Sequence, residues 1–169
     1  VTQLDVFYGN SIQILLFAPP VYGQVQDIDG NNYKTVTIGN KTWMAQNLAV
    51  TKYDDGTPIT EMTSAFDFKS TNSGAYIAYE ASNSNAETVG YLYNGYVITS
   101  NKDVCMKGWH VPTSGEWNQL ANALGGIESA GGRMKDVSDL WRVPNTAATN
   151  ESGFSGLPGG SYCSVCLGN

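Results

Sequence analysis

Charge is scarce in this chain. Only 14% of its residues are Asp, Glu, Lys or Arg, against roughly 25% in ordinary soluble domains, so polar surface has to come from Asn, Ser, Thr and Gly. Cations are the scarcer sign, with nine Lys and Arg against fifteen Asp and Glu and a net charge of −6. Those nine are scattered, and binding a phosphate backbone needs them clustered, so nucleic acid is excluded as a partner. An anionic membrane surface is disfavoured for the same reason. No apolar run approaches the ~20 residues of a membrane-spanning helix. Histidine occurs once, at His110. Cysteine occurs three times, at Cys105, Cys163 and Cys166, and the odd count leaves at least one thiol unpaired or paired outside the chain. Export would make one disulfide plausible, and the spacing does not choose between Cys163–Cys166 and Cys105–Cys166.

What is present is aromatic and uncharged-polar: ten Tyr and four Trp among many Asn, Ser, Thr and Gly. That mixture is common on adhesive and secreted surfaces and less typical of cytosolic enzymes. A length of 169 residues suits one domain, or one domain plus an extension, with ample chain for a core.

Residues 1–18 alternate loosely through Leu4, Val6 and Tyr8, then Ile12, Ile14 and Leu16, around Gly9-Asn10. This reads as two strands and a tight turn, closed by Pro19-Pro20. The run Ile12–Ala18 resembles the end of a secretory signal, with Tyr22-Gly23-Gln24 as a cleavage-like site, but no basic segment precedes it. Residues 1–22 are therefore expected to be a structured strand or hairpin extension to a domain over 25–169. From Val25 to Leu48 two turn signals, Asp29-Gly30-Asn31-Asn32 and Gly39-Asn40, separate alternating segments, which predicts three short antiparallel strands. Trp43 or Met44 faces the core, because strand side chains alternate. Residues 49–90 are weakly patterned: Ser64–Lys69 suits a short helix, and Ser70–Glu87 reads as a surface loop around Ala75–Tyr79. Tyr91–Tyr93 and Tyr96–Ile98 look like strands. The clearest helix runs over about Ser114–Leu124. Thr113-Ser114-Gly115-Glu116 fits a capping box, Trp117, Leu120, Ala121 and Leu124 share a face, and Gly125-Gly126 stops it. Gly131–Trp141 is read as loop with one helical turn, and 144–160 as loop.

Five blocks then fall in an order that resembles a known family. They are Asp27 to Leu48 (DIDGN, YKTV, IGN, WM, NL), Gly90 to Asn94 (GYLYN), Cys105 to Trp117 (CMKGWHVPTSGEW), Ala130-Gly131-Gly132 with Trp141, and Ala148 to Gly160 (ATNESGFSGLPGG). Together they resemble the Fibrobacter succinogenes major paralogous domain. The resemblance implies a secreted or outer-membrane-attached, often lipoprotein, domain of Bacteroidetes-like bacteria. It also implies an α+β fold of the C-type lectin-like group, with short antiparallel strands, one well-capped helix and long loops. No established catalytic activity comes with it. The Gly-Trp-His-Val-Pro-Thr stretch is also similar to the segment that opens a helix in formylglycine-generating enzymes. Two departures stand out. Gly95 occupies a position where the family has Trp. The chain also ends at Asn169, before the closing strand whose cysteine is the implied partner of Cys105, and this predicts an open sheet edge.

Each candidate for chemistry has a plainer reading beside it. His110 as a general base needs a nucleophile and an orienting carboxylate; Trp109 and Pro112 beside it suggest a packed segment instead. Cys105, Cys163, Cys166 and His110 have the composition of a zinc quartet, but only Cys163-x-x-Cys166 has ligand spacing, and no reactive cysteine pair matches that of the formylglycine-generating enzymes. Asp27-x-Asp29-Gly30-Asn31 and Asp54-Asp55-Gly56 offer calcium oxygens or ordinary turn chemistry, and turns are the expectation. Asn145, Asn150 and Glu151 are loop candidates for calcium, against a hydrogen-bonded scaffold. Tyr91 and Tyr93 read as core, and Tyr96 as strand. Tyr76 and Tyr79, placed in the polar loop, are the expected ligand contacts. The expectation is a non-catalytic cell-surface domain that binds a glycan or protein through its loops. The alternative is a structural subunit of a pilus, gliding or secretion complex.

Overall fold

The computed structural model describes residues 20–79, 86 and 88–160. The expected hairpin over 1–18 lies outside the described residues, as do Cys163 and Cys166. Two small sheets and a set of short helices make a mixed α+β architecture.

The first sheet is the meander that the turn signals predict. Strands β1 (Tyr22–Gln26), β2 (Asn32–Ile38) and β3 (Lys41–Met44) pair antiparallel in that order. Gly30 and Gly39 take left-handed backbone at the two turns, where glycine carries no Cβ penalty. Val36 lies across from Trp43, and both are buried with Ile38. Over this face lies α3 (Ser114–Ala123), whose Leu120, followed by its cap residue Leu124, packs with Val36, Ile38, Trp43 and Ala130. Each such aliphatic side chain contributes about 1.5–3 kcal/mol by leaving water. Thr113 caps α3, with both halves of the capping box formed.

Residues 49–90 hold more structure than their pattern predicts. The second sheet has the order β4 (Thr60–Met62), β5 (Ala75–Ala78), β6 (Tyr91–Tyr93). It departs from the antiparallel expectation, because β4 and β5 run parallel while β5 and β6 run antiparallel. A parallel pair needs a crossover, and the short helix expected near Ser64–Lys69 lies between the two strands as α1 (Ala65–Ser70), with Ser64 as its N-cap. Its Phe68 packs on Ala75 and Ile77. All four residues of β5 are buried, so the strand shows no alternation to read; a strand covered on both faces loses that signal.

One further expectation needs correcting. Tyr96–Ile98 is not strand but part of α2 (Gly95–Ile98). The Asn94 side chain accepts from the amides of Val97 and Ala75 and donates to the Ser73 carbonyl, so an N-cap ends β6 and turns the chain. A Cβ at Gly95 would meet nothing within 4 Å, so a side chain there would stand on the surface and fill no core. Within Gly131–Trp141 the expected single helical turn is present over 131–134, as the end of α4, which spans Ile127–Met134. Gly132 does not break it; a Cβ there would run into the Ala147 carbonyl, so the glycine permits a close approach of loop and helix. Among the described residues no helix is long and apolar enough to cross a membrane.

Candidate functional site

A groove of about 590 Å³ opens where β3 meets the N-terminal end of α3. Four segments wall it: β3 with the residues just after it, the loop 108–112, the first turn of α3, and the loop 154–156. Local chemistry sets each one. Gly108 adopts left-handed backbone, and the Trp109 amide closes a turn on the Met106 carbonyl at 2.9 Å. Pro112 leads into Thr113, whose hydroxyl accepts from the Glu116 amide at 3.3 Å.

The apolar part is aromatic. The Trp43 and Trp117 rings lie 5.1 Å apart between centroids, and Phe154 sits 6.3 Å from the first and 6.0 Å from the second. Trp43 is buried, whereas Trp117 is 42% exposed. Aromatic pairs at this spacing add about 0.5–1.5 kcal/mol beyond area burial, so the cluster ties β3, α3 and the 154 loop together. Trp43 Nε1 is shielded from water and has no acceptor, an arrangement that costs about 1–3 kcal/mol.

Glu116 is the electrostatic hub. Its carboxylate accepts from the Thr113 amide at 2.9 Å and the Thr113 hydroxyl at 3.0 Å, lies 2.9 Å from His110 Nε2, and pairs with Lys41 Nζ at 3.1 Å. The Thr113 amide first, then His110 and Lys41, hold its carboxyl down at about 2. His110 is thus a brace for the cap, as its structural reading requires. Its ring is exposed, however, and not packed as Trp109 and Pro112 suggest. Two amides stand at the rim, each fixed at one end. Gln46 Oε1 accepts from the Lys34 amide at 2.7 Å, and Asn47 Nδ2 donates to the Val89 carbonyl at 2.8 Å.

The residues singled out from sequence lie mostly elsewhere. Tyr76 is not a loop residue. It sits on β5, 6% exposed, against Tyr91 at 4.6 Å and Tyr93 at 6.3 Å, and burial, then the Glu61 charge, pushes its phenol up to about 12. Tyr79 directly follows β5 and is half-buried, with Gly160 so close that a Cβ there would enter its ring. Tyr93 donates to the Val50 carbonyl at 2.7 Å, and its burial raises its pKa. Tyr96 is 48% exposed on α2.

Asn145 and Asn150 brace the loop internally and to Asp136, and Glu151 ties it to α4. Asn145 Nδ2 donates to the Asp136 carbonyl at 2.9 Å, Asn150 Oδ1 accepts from the Ser155 amide at 2.9 Å, and Glu151 pairs with Arg133 at 2.8 Å. None of the three lines the groove. The calcium candidates Asp27 and Asp29 have protein donors on their oxygens. Asp27 accepts from the amides of Asp29 and Asn31, from the Asn31 side chain, and from the Tyr33 hydroxyl at 2.6 Å. Asp29 accepts from the Thr51 amide and hydroxyl and from Lys52 at 2.6 Å. Burial works to raise the Asp29 carboxyl, but those bonds outweigh it and hold it low. Asp55 caps its own turn at the Thr57 amide. Among the described residues no group of three or more His, Cys, Asp and Glu converges to hold a metal ion. Cys105 is half-buried and makes no disulfide among them. Burial, then Asp103, pushes its thiol up to about 11.

Sequence reasoning therefore missed the groove. Trp43 or Met44 is expected to face the core and Trp117 to share the apolar face of α3; Trp43 is buried, whereas Trp117 is 42% exposed. The available signal was position: Trp117 lies in the first turn of α3, directly over a cap built from Thr113, Glu116 and His110, where a large ring cannot be wholly covered.

The family model described as the Fibrobacter succinogenes major domain covers residues 36–165, which include every wall of the groove. No curated protein and no solved structure matches the chain.

Proposed function

This chain belongs to the Fibrobacter succinogenes major domain family, and from that premise we propose that it is a non-catalytic domain, displayed outside the cell, that holds a glycan or protein ligand in the groove between β3 and α3. A C-type lectin-like arrangement of its strands, helices and loops is part of the same proposal. One observation carries the reading: Trp117 is 42% exposed above the buried Trp43, in a concave site with polar groups at its rim. Binding sites are concave, largely apolar and dressed with a few placed polar groups. Absence of thiol chemistry is supported by Cys105, whose burial raises its pKa and keeps the thiolate scarce. Display outside the cell is supported by the low charge and the uncharged-polar, aromatic composition.

The test is a panel of oligosaccharides and short peptides titrated against the intrinsic tryptophan fluorescence of the full chain and of Trp117→Ala. A saturable change lost in the variant is expected. Equal binding by both proteins sinks the assignment to this groove.

A second reading, as a structural subunit of a surface assembly, is favoured by β1, which is an edge strand among the described residues with four of its five residues exposed. Edge strands pair readily with a partner strand. Self-association or co-assembly abolished by a proline at Gln24 would favour that role.

A further inference from the structure

We propose that the ligand of this groove is an uncharged glycan, with one pyranose ring stacked on Trp117 and its hydroxyls read by Gln46 and Asn47. This deepens the groove assignment above and rests on it.

Three features of the walls point to this class. First, the apolar surface is made of flat rings. Trp43, Trp109, Trp117 and Phe154 line the groove, with Met44 and Leu48 as its long aliphatic side chains. A flat indole face suits the C–H face of a pyranose, which is itself flat and carries its polar atoms around the edge. An aliphatic peptide side chain is better held by a deep cleft of Leu, Ile and Met. Trp117, the most exposed of the clustered rings, is fixed from behind by Trp43 at 5.1 Å and Phe154 at 6.0 Å. The platform is therefore rigid before the ligand arrives, and little side-chain entropy is lost on binding.

Second, the groove offers no unmatched charge among the described residues. Its ionisable lining groups are Lys41, His110 and Glu116, and these face one another: Glu116 takes Lys41 at 3.1 Å and His110 at 2.9 Å. A phosphate, sulfate or carboxylate on the ligand would have to compete with Glu116 for Lys41. A cationic ligand would have to compete with Lys41, His110 and Thr113 for Glu116. A polar, uncharged ligand disturbs none of these contacts.

Third, two of the lining side chains, Gln46 and Asn47, are amides held at one end by a backbone bond, with the other end left to other partners. Gln46 anchors through Oε1 on the Lys34 amide and keeps its Nε2 donor available; Asn47 anchors through Nδ2 on the Val89 carbonyl and keeps its Oδ1 acceptor. A hydroxyl both donates and accepts, so neighbouring hydroxyls on one ring can satisfy both amides.

The experiment uses the full chain and tryptophan fluorescence. The probes are neutral gluco-, galacto-, manno- and xylo-configured tetrasaccharides, the same sugars carrying sulfate or uronic-acid groups, and neutral and acidic tetrapeptides. At least one neutral tetrasaccharide is expected to bind, its sulfated or uronic counterpart at least tenfold more weakly, and the peptides not at all. Trp117→Ala should weaken the neutral sugar at least tenfold. Gln46→Glu keeps an acceptor for the Lys34 amide, so the fold is retained, but replaces the donor by a negative charge; it should weaken the neutral sugar at least fivefold with an unchanged melting temperature. Tight binding of a peptide or an acidic sugar that is lost in Trp117→Ala overturns the ligand class and leaves the groove standing as a binding site. Sugar binding untouched by Trp117→Ala, or no binding of any probe, overturns both.

Discussion

Replacing Tyr33 by Phe removes one oxygen atom from a junction on which two parts of the fold meet. The Tyr33 hydroxyl donates to Asp27 Oδ2 at 2.6 Å and accepts from the Ala49 amide at 3.0 Å. It thereby pins the β1–β2 turn to the segment that leaves the first sheet for the second. Tyr33 is 4% exposed, so water does not readily replace the lost group. A hydrogen bond to a charged acceptor contributes about 1.5–3 kcal/mol, and a neutral one about 1 kcal/mol. Asp27 keeps three other donors, the amides of Asp29 and Asn31 and the Asn31 side chain, so the upper end of that range does not apply. The expected loss is about 2–3 kcal/mol. For a chain of this size that lowers the melting temperature by roughly 5–10 °C, readable by thermal and urea unfolding. Alkaline pH supplies an independent check. Burial first, and then the Asp27 carboxylate, raises the Tyr33 pKa above its ordinary value. A group with a raised pKa in the folded state stabilises fully below its unfolded value, about 10 for Tyr, and loses that contribution as pH rises past it. The gap between wild type and Tyr33→Phe should therefore close above about pH 10. A loss below about 0.5 kcal/mol, the range of ordinary surface substitutions, would refute the claim that this hydroxyl joins the two segments.

Other consequences follow from single contacts. Glu116, held at about 2 from an ordinary 4.5, should stabilise the chain above pH 4.5 and lose that contribution as pH falls toward 2; Glu116→Gln should flatten the acid limb of the stability profile, and an unchanged limb would count against the cap network. Gly131 and Gly132 are neighbours in α4 with opposite expectations. Gly131→Ala meets open space and should stabilise by about 0.5–1 kcal/mol. Gly132→Ala meets the Ala147 carbonyl and should destabilise, so equal melting temperatures for the two variants would contradict the close approach. Tyr76→Ala, at a buried position in β5, should cost about 3–5 kcal/mol while the folded fraction binds groove ligands as before. Selective loss of binding with normal melting would return Tyr76 to the ligand surface.

Much of the fold was legible because local rules and tertiary structure agree there. The β1–β2–β3 meander follows from two glycine turns and clean alternation, and α3 from a complete capping box. The second sheet was illegible for a physical reason: β5 is covered on both faces, and its parallel partner β4 has only three residues. Polar neighbours around Ala75–Tyr79 made a buried strand look like a surface loop and sent Tyr76 to the wrong side of the molecule. Asn94 shows the converse, since one cap turned an apparent strand at Tyr96–Ile98 into a helical turn. The groove itself depends on long-range contacts among Trp43, Trp117 and Phe154, and no periodicity reports that three distant aromatics converge.

Whether that convergence of aromatics is a ligand site is tested most directly by the four tryptophan indole N–H signals in a nitrogen–proton NMR spectrum. Trp43, Trp109 and Trp117 line the groove, whereas Trp141 does not and donates its indole N–H to the Gly156 carbonyl at 3.0 Å. Saturation with a neutral oligosaccharide that binds should shift the signals of Trp43, Trp109 and Trp117 more than that of Trp141, which reaches the groove only through its bond to the wall residue Gly156. Movement of Trp141 alone, or of none of the four, would contradict the assignment.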